Sequence, residues 1–278
     1  MTSGPTGIDA YAPAEIAARI ETAGIGKARL PFVPLVTLAL LAGAFIGFGA
    51  IAFTVATTGV PLSGPMRILG GLAFSLGLIL VVVGGAELFT GNAMIVMAWA
   101  DGRIGLPALL RNWAIVLPAN LAGALGLAGV MALAGLSGGE LGQRAAEIAE
   151  AKLALGWGEA FWRGALCNAL VCLAVWLSMA ARSVEGRILA VVWPVTVFVA
   201  AGFEHSVANF YLIPAGLLAG AEGSLGDVLG NWIPVTLGNV VGGAGGVALS
   251  YRLAYGRSRD QGDPAGPADH DHGAGRDR

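Results

Sequence analysis

Two octapeptides, GAELFTGN (85–92) and GFEHSVAN (202–209), share the pattern G-x-E-x-x-x-x-N at an offset of 117 residues, and each interrupts a long apolar run. The second lies between ILAVVWPVTVFVAA and FYLIPAGLLAG, so a Glu, a His, a Ser and an Asn sit where an apolar span should continue. A second pair of blocks follows in the same order. NWAIVLPANLAG (112–123) and NWIPVTLGNVVG (231–242) agree at Asn, Trp, Val, Asn and Gly with an offset of 119. Two blocks in one order at nearly one offset define an internal repeat.

Composition says which solvent this repeat folds in. Of 278 residues, 56% are hydrophobic and 12% charged, where a soluble domain carries about 25% charge. The 44 glycines suit membrane helices that approach closely. Six apolar segments are each long enough to span about 30 Å of hydrocarbon, near 33–57, 66–100, 107–135, 159–181, 187–220 and 231–255. The second and fifth are the interrupted ones. Three spans per half is an odd number, so the second half enters the bilayer from the opposite side. The expected fold is an all-α membrane protein with six transmembrane helices, arranged as a 3+3 inverted repeat with broken second and fifth helices.

The basic residues orient it. With the N-terminus inside, one side gathers Arg19, Lys27, Arg29, Arg103, Arg111, Arg182, Arg187, Arg252, Arg257 and Arg259. The other keeps only Arg67, Arg144, Lys152 and Arg163. Both termini are then cytoplasmic and the chain is multi-pass in the inner membrane. Three parts follow: a cytoplasmic segment over 1–30, a channel domain over 31–256 with repeats near 31–135 and 158–256, and a polar, disordered tail over 257–278. APAEIAARIETAG (12–24) reads as a short amphipathic helix, either lying on the membrane surface or gating a pore mouth. Nothing at the N-terminus resembles a cleavable signal peptide. Cys167 and Cys172, five apart on a helix, do not share a face and read as buried thiols. The D-H-D-H of the tail reads as solvated rather than metal-binding, and no metal or cofactor site is expected. A net charge of -2 argues against nucleic acid.

Non-helical backbone at membrane depth is tolerated where it is buried in protein or lines a cavity. Half-helices that restart at the two breaks aim N–H groups at that cavity, which favours an anion. His205, in an apolar span and at a break, is the strongest functional candidate; a lone buried histidine elsewhere would read as structural. An unperturbed imidazole, with a pKa of about 6.5, responds to both burial and a nearby anion. Glu87 and Glu204 are repeat mates, expected to cap N–H groups at their own breaks rather than to relay protons. Asn92 and Asn209 are expected to tie loop to helix. The Thr90 hydroxyl has two equal uses: facing the anion or capping the following half-helix.

GGAELFTGN, LVCLAVWLS, GFEHSVANFYLIP and NWIPVTLGNVVGG, with PAEIAARIETAGIGKA and VATTG, resemble the signatures of the formate/nitrite transporter family over residues 10–256. The resemblance implies an aquaporin-like fold, one pore per subunit, a homopentamer in the lipid bilayer, and passage of a small monovalent anion. Formate comes first, nitrite and hydrosulfide next, with protons as a coupled partner. It implies His205 as the central histidine, hydrogen-bonding the anion and handing it a proton. Leu88 and Thr90 come from the loop of the broken second span, and Asn168 and Asn239 act as pore-side amides. Apolar constrictions fall on Phe74 and Leu78 at one end and Phe198 at the other. Those residues would be ordinary core on spacing alone. Lys152 matches a lysine at the pore entrance, drawing anions to the mouth; by itself it reads as a solvated surface residue. The loop carries Glu87 and Gly91 where some formate channels have Asp and Ser, which leaves the substrate subclass open. The 221–230 loop is shorter than in some members. A neutral-solute pore for water or ammonia fits the same architecture. An intramembrane enzyme does not, since no GxSxG, no HExxH and no second intramembrane histidine is present. A purely structural scaffold would leave the matched breaks unexplained.

Overall fold

The structure, a computed structural model, describes residues 10–256. The expectations for the tail and its histidines lie outside the described residues. Helices α1 (Pro13–Ala28), α2 (Phe32–Thr57) and α3 (Gly64–Gly84) are followed by a non-helical stretch. A 3₁₀ turn (Gly91–Ile95) then runs into α4 (Val96–Ala100). Next come α5 (Leu106–Leu133), α6 (Gly139–Leu153), α7 (Trp157–Ala180) and α8 (Val184–Ala200). After a second non-helical stretch, α9 (Ser206–Leu218) and α10 (Leu225–Val240) follow. The last of these continues through a π-helical segment (Val241–Ala248) into α11 (Leu249–Tyr255). No strand occurs among the described residues.

Five helical stretches are long and apolar enough to cross a membrane: α2, α3, α5, α7 and the α10–α11 run. The sixth crossing is composite, α8 plus α9. The second span (α3, 3₁₀ turn, α4) and the fifth (α8, α9) are therefore the broken ones. Each break turns on a glycine in the left-handed region, Gly85 at φ 81° and Gly202 at φ 73°. Only glycine adopts that conformation without strain. This is a multi-pass membrane fold of six spans with an inverted 3+3 repeat.

Side-chain ties define two faces. On the α1 face, Arg103 bonds Glu21, Arg252 bonds Asp101, and the Tyr11 N–H donates to the Ala180 carbonyl. On the α6 face, the Arg144 Nε donates to the Thr57 hydroxyl, and the Asn231 amide donates to the Lys152 carbonyl. The spans pack backbone to backbone. A Cβ on Gly43 of α2 would lie 2.0 Å from the Asn120 carbonyl oxygen of α5. One on Gly71 of α3 would lie 2.6 Å from the Thr196 oxygen of α8.

Helix α1 departs from the sequence reading. It runs four residues further than 12–24, and one of its faces packs on protein. Ile16, Ala17, Ile20, Gly24 and Ala28 are buried, and a Cβ on Gly24 would be 3.4 Å from the Ile95 Cα. Both cysteines are buried and free.

Candidate functional site

Each break is held by the same scaffold. In the first half, the Lys27 ammonium of α1 pairs with the Glu87 carboxylate. The Asn92 amide donates to Glu87 Oε2 (2.8 Å) and to Asn112 Oδ1 (2.9 Å), and the Asn112 amide donates to the Lys27 carbonyl (3.2 Å). Trp113 Nε1 donates to the Asn92 carbonyl at 3.1 Å. Asn120 closes the loop. Its amide donates to the Glu87 and Ala39 carbonyls, and its Oδ1 accepts from the Phe89 N–H.

The second half repeats this scaffold with the same residue types. Lys152 of α6 donates to both Glu204 oxygens at 2.9 and 3.0 Å. Asn209 bridges Glu204 Oε2 (2.6 Å) and Asn231 Oδ1 (2.8 Å), and Trp232 Nε1 donates to the Asn209 carbonyl. The Asn239 amide donates to the Glu204 and Gly164 carbonyls, and its Oδ1 accepts from the Ser206 N–H. Lysines 27 and 152 are thus equivalent, and α1 and α6 belong to the repeat. The carboxylates do not cap N–H groups as expected. The asparagines Asn120 and Asn239 take the N–H groups of Phe89 and Ser206, and the carboxylates pair with the lysines. Asn92 and Asn209 do tie their loops to the neighbouring helix.

The two loops share Gly, Glu and Asn and differ at five positions, one of which sets Leu88 as the counterpart of His205. As the N-cap of α9, His205 accepts the Ala208 N–H on Nδ1 at 3.1 Å. A nitrogen that accepts carries no proton, so the proton sits on Nε2. Nε2 lies 3.0 Å from the Thr90 Oγ1 and donates to it. The hydroxyl proton of Thr90 therefore stays available. His205, Thr90 and Leu88 are all buried. Leu88 cannot cap, and the chain after it forms a 3₁₀ turn instead of an α-helix.

A cavity of about 280 Å³ opens on the α6 face directly above His205. Its lining includes Phe74, Phe198, Glu204 and His205, with Arg67, Arg144, Lys152 and Arg163. Those are the same four cations that the sequence placed on this side. Against them stand Glu147 and Glu204, so the lining carries a formal excess of positive charge. Lys152 is not a solvated surface residue. It is 15% exposed and ion-paired at the cavity floor.

Phe74 and Phe198 are not at opposite ends. Their rings meet edge to face with centroids 5.8 Å apart, and Phe198 also lies 6.0 Å from the His205 ring. The reason is that α3 and α8 run side by side while each break is displaced towards its own lysine. Phe198, four residues before the second break, reaches the level of mid-α3. Leu78, one turn further along α3, is buried in the same core. Repeat counterparts of Phe74 and Phe198 on the α1 side are Val191 and Val81, both buried.

The pore-side amides also differ from expectation. Every hydrogen-bonding group of Asn239 is committed to the loop it holds. Asn168 donates to the Asn239 carbonyl at 2.6 Å, against the π-helical segment, where a Cβ on Gly243 would sit 2.3 Å from its amide nitrogen. The scaffold residues Lys27, Asn112, Asn120 and Asn231 were not singled out from the sequence. The three asparagines stood inside the repeated NW…N blocks, which was the available signal. Among the described residues no cluster of His, Cys, Asp or Glu could hold a metal.

Broken spans meeting at a buried polar pair beneath a charged vestibule are the architecture of a membrane channel or transporter. Comparison with known proteins narrows this. The family model for formate/nitrite transporters matches residues 14–253. The formate channel FocA of Escherichia coli (strain K12) is 39% identical over 276 residues, covering 91% of this chain and 97% of that protein. The uncharacterized transporter YrhG of Bacillus subtilis is 42% identical over 248 residues, covering 87% and 93%. A solved pentameric formate channel with formate bound superposes with a TM-score of 0.73 at 40% identity, covering 80% of this chain and 96% of that one. An FNT family ion channel superposes with a TM-score of 0.81 at 28% identity, covering 86% and 98%. The chain belongs to the formate/nitrite transporter family.

Proposed function

We propose that this protein is a homopentameric channel for a small monovalent anion, formate first, with one pore in each subunit. It lies in the cytoplasmic membrane with α1 and both termini on the cytoplasmic side. The observation that carries the reading is His205 at the floor of a cavity whose lining is net positive, with the Thr90 hydroxyl 3.0 Å from its Nε2. Relatives named formate channels support the choice of formate over nitrite and hydrosulfide.

The route follows from the residues in order. Cations at the mouth raise the local anion concentration. The Phe74–Phe198 pair strips water from whatever passes, because a narrow apolar ring excludes hydrated ions. Just below, Thr90 offers its free hydroxyl proton, and Nε2–H offers a second donor when it leaves Thr90. Two donors set for one small acceptor suit a carboxylate. Leu88, Leu78 and the valines towards α1 then form a second apolar stretch.

Proton coupling requires one more event. A neutral imidazole that holds its proton on Nε2 is a hydrogen-bond donor, not a proton reservoir. To hand over that proton, His205 must first gain one on Nδ1, which displaces the Ala208 N–H. Coupling is thus tied to loosening of the α9 N-cap. Formate, nitrite and hydrosulfide flux into liposomes carrying the purified protein, with and without an inward proton gradient, tests the reading. Formate uptake that rises with the gradient and is lost in His205→Ala is the expected result. Water or ammonia permeation without uptake of any of the three anions would replace it with a neutral-solute pore.

A further inference from the structure

The two halves serve as controls for each other, and beside the His205/Leu88 exchange they differ in how the break loops are braced. In both, the N–H of the glutamate donates to a carbonyl on the neighbouring span, Glu87 to Leu38 and Glu204 to Arg163, each at 3.2 Å. Leu38 and Arg163 are counterparts, since Ala39 and Gly164, the next residues, accept equivalent bonds from Asn120 and Asn239. In the first half Leu38 adds nothing polar, and a Cβ on Gly85 would meet nothing within 4 Å. In the second half the Arg163 side chain folds over the loop. Its Nη1 donates to the Gly202 carbonyl at 3.1 Å, and its other nitrogen is anchored on Glu159 one turn back in α7. One residue therefore grips the loop twice, by its own carbonyl and by its guanidinium. It does so only where the loop leads into the histidine.

We infer that Arg163 is a positioning residue for the transport site: by clamping Gly202 it fixes the loop that sets the height and tautomer of His205. The chain of parts is short. Gly202 is the left-handed hinge of the break, three residues before the ring. Glu204 and Ser206, on either side of His205, are tied down by Arg163 and Asn239. Asn239 holds the loop from below and Arg163 holds it from the cavity side. Without the guanidinium the Gly202 carbonyl loses its charged donor, and the loop is left to the backbone bonds of Gly202, Phe203 and Glu204 and to Asn239. His205 Nδ1 can then leave the Ala208 N–H, and with it goes the assignment of the proton to Nε2.

Arg163 also lines the vestibule, so the test must separate clamping from simple attraction of anions. Arg163→Leu places in the second half the residue that the first half already tolerates; Arg163→Lys keeps the charge and one donor. Hydrogen exchange on the whole detergent-purified assembly reads the clamp directly. Amides of 203–206 are expected to exchange roughly threefold to tenfold faster in Arg163→Leu, with those of 86–89 unchanged and Arg163→Lys in between. Formate flux per assembled channel is expected to fall in parallel. At about 1 M salt, where the Debye length is about 3 Å, the deficit is expected to persist. Exchange over 203–206 equal to wild type overturns the inference. So does normal flux despite faster exchange, or a flux deficit that high salt abolishes, which makes Arg163 an attractor only. The flux arm rests on the anion-channel reading. If wild type moves no formate, that reading fails while the exchange arm still decides whether Arg163 clamps the loop.

Discussion

Removing Lys152 tests the scaffold most severely. The Glu204 side chain is 5% exposed and the Lys152 side chain 15%, with two bonds of 2.9 and 3.0 Å between them. Lys152→Met leaves a buried carboxylate with only the Asn209 amide as partner. Breaking a buried pair from one side costs about 3–5 kcal/mol, because the surviving charge stays desolvated. At about 2–4 °C per kcal/mol for a chain of this size, the apparent melting temperature should fall by roughly 6–20 °C. The Glu87 side chain is 6% exposed, as buried as Glu204, so Lys27→Met should lose a similar amount. Tryptophan fluorescence of the detergent-purified assembly reads both. The decisive variant is Lys152→Met with Glu204→Gln. Glutamine keeps an acceptor for Asn209 and removes the charge, so it should recover at least half of the loss. A shift below about 2 °C in the single variant, or a double variant no more stable than the single, would refute the buried-charge argument.

Three further outcomes are expected. Thr90→Val keeps the shape but removes the acceptor of His205 Nε2 and the free hydroxyl, and formate flux should drop by about tenfold, with assembly intact by size-exclusion chromatography. Phe198→Ala opens the aromatic pair with Phe74, so the rate of acetate relative to formate should rise above that of wild type; an unchanged ratio in liposomes would place the size filter elsewhere. Truncation before residue 30 removes Lys27, whose ammonium serves Glu87 and whose carbonyl serves Asn112. The truncated protein should therefore be unstable rather than open, and a well-assembled truncation that conducts normally would count against α1 as part of the scaffold.

The six spans and the two breaks were legible because apolar length and the G-x-E-x-x-x-x-N pattern are local signals. The pairing of α1 with α6 was not. Lys27 and Lys152 are offset by 125 residues, whereas the loops are offset by 117, and a drift of eight residues hides the match between two short helices. Lys152 has no acid three or four residues before it on its own helix, and by itself it reads as a solvated surface residue. Its partner is 52 residues away, a distance only the fold can close. The level of Phe198 was misread for a related reason. Position along a span gives depth only if the break is at the midplane, and each break is drawn towards its lysine. Asn239 shows the limit of residue type as evidence. A polar amide in an apolar span reads as a contact for cargo, and only its bond partners reveal a fully occupied strut.

The likeness of the two halves has a directional consequence. A frame that maps onto itself when turned over offers nearly the same route from either compartment, except that the imidazole sits off the axis, towards the α6 mouth. An ion entering from that mouth meets its strongest partner early; one entering from the α1 mouth meets it late. Unequal placement of a single well along a pore produces rectification: half-saturation and limiting current differ between the two directions. A passive pore carries no net current without a gradient, so the ratio of limiting current to half-saturation must still agree from both sides. The histidine can thus decide which way the channel saturates first, but not which way the anion finally goes.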